Sequence, residues 1–211
     1  MKLIECECCG GKDFHRTDGM AVCDNCGSKY FLNKDEQVSD KVLIAAEVHS
    51  LLYKSAECRT KCDYANEMLY LLQALRIDEK NSILWTRLGR TYRDMRSYKN
   101  AENCYKKAIV LEPDLPYAYG NLGVLYMVGD DKRDADALEY MRKCMNYIRE
   151  SDNDYVTMLA NYGVALGLNG QKGEAVRMIR KAIKLGYPNG KAAMRIAGIG
   201  VFDRVCGLLR G

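Results

Sequence analysis

Histidine is nearly absent from this chain: His15 and His49 are the only two in 211 residues. Neither stands near a nucleophile or carboxylate at a motif spacing, and no glycine-rich phosphate loop follows a predicted strand. Asp130, Asp131, Asp134 and Asp136 crowd into one turn, where solvation explains them better than chemistry does. The chain is therefore read as a non-enzyme. Long apolar runs are missing as well, none approaching the ~20 residues that cross a bilayer. The start, Met1-Lys2-Leu3-Ile4 followed by Glu5 and Cys6, lacks the apolar core of a signal peptide. Together these predict a cytoplasmic protein with no membrane partner. Strong charge of one sign is absent too. The net charge is +4, divided as −3 over residues 1–40 and +7 over the rest, well short of a polyanion-binding stripe.

Cysteine, by contrast, is abundant, and its distribution matters more than its number. Of ten cysteines, five fall within the first 26 residues, while Cys58, Cys62, Cys104, Cys144 and Cys206 are scattered through helical sequence. In a reducing compartment this reads as a metal site plus buried free thiols. Cys58 and Cys62 lie one helical turn apart, a spacing that ordinary packing explains. Cys6-Glu7-Cys8-Cys9-Gly10 and Cys23-Asp24-Asn25-Cys26-Gly27 form two Cys-x-x-Cys-Gly knuckles, each turning tightly enough for both sulfurs to face one ion. Four thiolates in a tetrahedron close a structural Zn²⁺ site. Cys8 competes with Cys6 as the partner of Cys9; matching Gly10 to Gly27 favours Cys6, giving Cys6, Cys9, Cys23 and Cys26 as ligands. Between the knuckles, Lys12–Arg16 and Met20–Val22 alternate around Thr17-Asp18-Gly19, a hairpin signal, and Ser28–Leu32 adds a third short strand. His15 is read as a strand-surface residue.

Residues 1–33 thus resemble a zinc ribbon. Rubredoxin-type iron sites use similar knuckles, so spacing leaves iron as the alternative metal. Zinc ribbons often contact nucleic acid, but this segment is acidic, and Zn²⁺ with four thiolates adds about −2. Phosphate binding requires Lys and Arg instead. A fold this small needs the metal as a staple, which argues for a structural role or a protein contact and against nucleic acid.

A repeat follows. Trp85, Leu88, Gly89, Tyr92, Ala101, Tyr105, Ala108 and Pro113 stand at offsets 0, 3, 4, 7, 16, 20, 23 and 28. Tyr119, Leu122, Gly123 and Tyr126 repeat the first half; Ala137, Met141 and Cys144 repeat the second after a two-residue slip. Leu159, Tyr162, Gly163, Leu166, Ala175, Ile179 and Ala182 repeat it without a slip. A period of about 34 residues with this pattern marks stacked helical hairpins. Its residues resemble the tetratricopeptide repeat (TPR) family at every signature position of residues 82–115. An earlier pair is a degenerate copy in which Leu51, Ser55 and Cys58 replace the Trp, Gly and Tyr. There a long helix breaks at 59–63, and Tyr64 to Ile77 forms a second helix with Met68, Leu71, Leu72 and Leu75 inward.

The predicted fold is all-α, a TPR helical-hairpin solenoid preceded by a small β zinc ribbon. Its parts are the ribbon at 1–33, a linker at 34–40, an array at 41–190 with repeats at 48–81, 82–115, 116–151 and 156–189, and a C-terminal capping segment at 191–211.

The TPR resemblance implies that the first helix of each pair lines a concave groove. Arg87, Arg90 and Arg93 make its second-repeat wall basic. Tyr117, Asn121, Val124 and Met127, then Thr157, Asn161, Val164 and Leu168, make it more apolar further on. Such a surface suits a peptide with an acidic end and an apolar stretch. Asn121 and Asn161 occupy equivalent places, and in some TPR proteins a ladder of such asparagines holds a peptide backbone, because a carboxamide both donates and accepts. The chain's own C-terminal segment is a competing occupant. The Lys/Asn carboxylate clamp of chaperone-binding TPRs does not recur. The expected function is a protein–protein interaction adaptor that binds a peptide or protein; the alternative is a nucleic-acid-associated or transcription-related regulator acting through the ribbon.

Overall fold

The computed structural model describes residues 14–17, 20–25, 29–31, 40–130 and 132–199. In chain order these form strands β1 (Phe14–Thr17), β2 (Met20–Cys23) and β3 (Lys29–Phe31), then nine helices among the described residues: α1 (Asp40–Thr60), α2 (Tyr64–Ile77), α3 (Ser82–Asp94), α4 (Tyr98–Leu111), α5 (Pro116–Val128), α6 (Asp134–Tyr147), α7 (Tyr155–Leu168), α8 (Lys172–Lys184) and α9 (Gly190–Ile196). The chain divides into two compact units, Met1–Leu84 and Trp85–Gly211. No helix among the described residues is long and apolar enough to cross a membrane.

In the first unit the three strands form an antiparallel sheet in the order β1-β2-β3. Phe14 is opposite Cys23 and Thr17 opposite Met20, while β3 pairs Phe31 with Met20. β1 lies against α1. The α1–α2 hairpin turns through Cys62, whose φ of 56° is left-handed. Asp63 then caps α2 by accepting the Asn66 amide at 3.2 Å. Across this turn Arg59 Nε donates to the buried Glu67 carboxylate at 2.9 Å. Removing either partner would strand the other as a buried charge, which is costly. Leu71, Ala74 and Leu75 share the Glu67 face and are buried. Leu72, expected inward, is 40% exposed. It stands 100° round the helix from Leu71, outside the row that Glu67, Leu71, Ala74 and Leu75 turn inward.

The second unit repeats one contact. A Cβ on Gly89 would lie 2.6 Å from Tyr105 Cε1, one on Gly123 3.0 Å from Met141 Cε, and one on Gly163 2.6 Å from Ile179 Cγ1. In each hairpin the glycine of the first helix therefore receives the large offset-20 residue of the second. The small offset-16 and offset-23 residues Ala101, Ala108, Ala137, Cys144, Ala175 and Ala182 are all fully buried. Helices α5 and α6 pair, as do α7 and α8; α4 packs on α5 and α6 on α7. Beyond them α9 packs on α7 and α8. It approaches α7 so closely that a Cβ on Gly167 would lie 2.6 Å from the Ala197 carbonyl oxygen. Of the expected capping segment, α9 and the residues through Ile199 are described; residues 200–211 lie outside the described residues.

Candidate functional site

Side chains at offsets 2, 5, 8 and 9 of a first helix lie away from its packed signature face. Where α5, α7 and α9 adjoin, those positions border a cleft of about 470 Å³. Val124, Met127 and Val128 come from α5, and Asn161, Val164 and Leu168 from α7. Tyr187, Asn189, Ala192, Ala193 and Ile196 close the α9 side, while Lys132 and Asp134 stand at the turn before α6. Five groove residues read from the sequence, Val124, Met127, Asn161, Val164 and Leu168, thus share one cleft. The turn and α9 residues were not among them. Their signals were the two-residue slip after Gly129 and the delayed proline Pro188.

The described residues beside that turn are bonded to three helices. Arg133 N–H donates to the Tyr126 carbonyl at 3.0 Å, and its guanidinium lies 3.6 Å from the centre of the Tyr126 ring. Glu102 on α4 accepts from Tyr126 hydroxyl at 2.8 Å, from Arg133 Nη2 at 3.1 Å and from Lys106 Nζ at 2.8 Å. Burial pushes the Glu102 pKa up, but the hydrogen bonds from Lys106, Tyr126 and Arg133 outweigh it and bring it down to about 2. Asn169 at the end of α7 donates to the Asp134 carbonyl at 2.7 Å and to the Ala165 carbonyl at 2.9 Å. The turn is thereby tied to α4, α5 and α7, with Arg133 facing α4 and Lys132 facing the cleft.

The expected basic wall is modified by its own partners. Arg93 is half-enclosed, and its Nε and Nη2 donate to Asp94 at 3.1 and 3.0 Å. Its Nη1 donates to Asn121 Oδ1 at 3.4 Å. Asn121 Nδ2 donates to the Tyr117 carbonyl at 2.8 Å. Both ends of the Asn121 carboxamide are therefore engaged within the chain, against the ladder expectation for that residue. Asn161, at the same offset, has no side-chain partner among the described residues. Arg87, Arg90 and Tyr117 are partly buried, and Thr157 is exposed.

Of the expected metal ligands, Cys23 is 1% exposed at the end of β2; Cys6, Cys9 and Cys26 lie outside the described residues. His15 is exposed and its Nδ1 meets the Asp24 carboxylate. Cys104 and Cys144 are deeply buried among the repeats, and burial pushes both thiols up to about 12.

The family model for a TPR repeat matches residues 89–129. Among solved structures, PilW, a type IV pilus biogenesis factor, is similar with a TM-score of 0.62 and 19% identity over 72% of this chain and 70% of that one. MamA is similar with a TM-score of 0.56 and 20% identity, over 78% of this chain and 87% of that one. The TPR2B domain of yeast Sti1, in a complex with pHsp70, gives 0.52 and 18% over 60% of this chain and 98% of that one. No curated protein matches the chain in sequence. At these identities the shared feature is the fold, a TPR-type array of helical hairpins.

Proposed function

We propose that this TPR-fold chain is a non-catalytic adaptor of the cytoplasm that holds a peptide or protein partner along the first helices of its repeats. Cys6, Cys9, Cys23 and Cys26 hold a structural Zn²⁺ at its N-terminal end. The observation carrying the adaptor reading is the cleft between α5, α7 and α9. Its walls are mostly apolar, with a few polar groups at Lys132, Asp134, Asn161 and Asn189, the usual character of a preformed binding site. The complex of the yeast Sti1 domain with pHsp70 is the kind of association this reading carries over.

The test is co-purification from native cells with the intact chain and with a groove variant carrying Arg90→Glu, Tyr117→Ala and Leu168→Glu. Partners lost by the variant, with its helical signal retained, are the expected result. Equal recovery of every partner by both proteins overturns the groove as the contact surface.

A further inference from the structure

The net charge of +7 beyond residue 40 is not spread evenly. Residues 155–199 hold seven Lys and Arg against one acid, Glu174, a net +6. Helix α8 carries most of it. Arg177, Lys181 and Lys184, spaced four and three residues apart, share one helix face, opposite the buried Ala175, Val176, Ile179 and Ala182. All three cations are exposed. Lys181 pairs with Glu150 at 2.6 Å; Arg177 and Lys184 make no ion pair among the described residues.

The neighbouring repeats show that this is a property of α8 and not of the repeat pattern. Counted from the offset-16 alanines Ala101, Ala137 and Ala175, the outer face carries Lys107, Lys143 and Lys181 at one position. One turn earlier stand Asn103, Glu139 and Arg177. In α6 Glu139 pairs with Lys143 at 2.7 Å, the four-residue spacing that stabilises an exposed helix. Helix α8 puts a like charge in the place of that acid, which destabilises it. The helix dipole accounts for Lys181 and Lys184 in the last turn, but its effect ends there and does not reach Arg177. An anion from outside the helix would offset the repulsion.

We propose that the outer face of α8 docks an acidic segment of a partner protein, whose carboxylates meet Arg177 and Lys184. An apolar side chain of that segment lies on Leu185, which is half exposed just beyond Lys184. This surface is on a second helix, apart from the first-helix groove, so it gives the adaptor another contact and is tested independently of the groove. Two other polyanions fit it less well. Arg177 to Lys184 spans about 10 Å, and α8 has no aromatic side chain on which a base could stack. A membrane surface takes up an apolar face beside the cations, and the apolar face of α8 is already buried.

The test uses the purified full-length chain and fluorescein-labelled probes, read by anisotropy at low and physiological salt. The probes are a short Glu/Asp/Leu peptide, the same peptide with Gln and Asn for its acids, and a DNA duplex; phosphatidylserine vesicles are tested by co-sedimentation. The acidic peptide is expected to bind, its neutral counterpart to fail, and the affinity to fall with salt. Arg177→Glu with Lys184→Glu should weaken binding at least about tenfold without lowering the thermal melt, because Arg177→Glu installs the Glu–Lys pair of α6. Lys99→Glu with Lys107→Glu changes the same charge at exposed positions of α4 and should leave affinity within about twofold of the parent. Cations that serve only solubility would not separate the two double variants. No binding at either salt, equal binding of the neutral peptide, equal losses in both double variants, or tighter binding of the duplex or the vesicles overturns the proposal. So does a salt-sensitive dimer in sedimentation that only the α8 variant abolishes, which would make a second copy the occupant. If native partners depend on the groove while the acidic peptide fails, the adaptor reading stands and only this second surface falls.

Discussion

Replacing Gly89 by alanine sets two effects of similar size against each other. Within a helix, alanine is favoured over glycine by about 1 kcal/mol, so a glycine retained in the middle of α3 must answer to packing. The new Cβ would lie 2.6 Å from Tyr105 Cε1 and 2.8 Å from Cδ1, well inside van der Waals contact. Tyr105 is fully buried, so its ring cannot swing into solvent; either it leaves its rotamer or α4 moves outward. Overpacking of that kind costs about 1–3 kcal/mol. The net expectation is a loss of about 1 kcal/mol, or about 2–4 °C in a chain of this size. Gly173 provides the control. It is also helical, near the start of α8, but a Cβ there meets nothing within 4 Å. Gly173→Ala should therefore keep the propensity gain, less what fraying removes, and raise the melting temperature. Thermal melts followed by far-ultraviolet circular dichroism compare the two. Combining Gly89→Ala with Tyr105→Leu should be less damaging than the sum of the single changes. A Gly89→Ala protein as stable as the parent, or stabilised as much as Gly173→Ala, would refute the close-approach argument.

Three further outcomes follow from the same structure. The Glu102 pKa falls from 4.5 to about 2 on folding, so its contribution is complete above pH 4.5 and is lost as pH drops toward 2. Unscreened linkage gives about 3 kcal/mol, and solvent near the pair reduces it to about 1–2 kcal/mol. Glu102→Gln should lower stability at neutral pH and flatten the acid limb of a melting-temperature profile; an unchanged acid limb would show that Glu102 is not its source. Iodoacetamide at neutral pH should label the exposed Cys62 well before Cys104 and Cys144, both free but buried, with peptide mapping as the readout. Equal native-state rates at all three would contradict their burial. Zinc measured per chain should fall on Cys23→Ser and after mild chelation, while most of the helical signal persists; zinc content indifferent to Cys23→Ser would remove it from the ligand set.

The repeat was legible because it rests on contacts within a period. The glycine at offset 4 and the large residue at offset 20 meet in the structure as their spacing implies, and α2 has the limits set by its apolar run. What one helix cannot reveal is what its neighbours take up. Leu72 resembles its inward neighbours in type and differs only in angle. Arg93 reads as an available cation, yet Asp94 and Asn121 occupy its guanidinium. The segment 129–133 reads as a longer turn, and only the packing of Arg133 on Tyr126 shows how its end is tied to α5, with Lys132 at the cleft border. The α9 wall was hidden because close approach at Gly167 depends on Ala197, thirty residues further on by sequence.

Asn121 and Asn161 sharpen that lesson, since one residue type at one offset has two fates. The residue at offset 8 of the preceding copy separates them. For Asn121 it is Arg93, fixed by Asp94 at offset 9, and the guanidinium reaches Asn121 Oδ1 at 3.4 Å. For Asn161 it is Met127, followed by Val128, and a thioether offers no hydrogen to a carbonyl. Both line the cleft with Asn161, which keeps its carboxamide available. Installing Met127→Arg with Val128→Asp should therefore reproduce the earlier arrangement one repeat on. The new arginine should occupy Asn161 Oδ1 and fill the apolar end of the cleft. Native partners held through the groove should then be recovered less, with folding stability little changed because both parent side chains are partly or largely exposed. An Asn161 side-chain amide resonance that shifts in the double variant, beside lost partner recovery, is the expected pair of results. Unchanged binding in a folded double variant would mean that the offset-8 residue does not control the asparagine, and that Asn161 is not part of the contact surface.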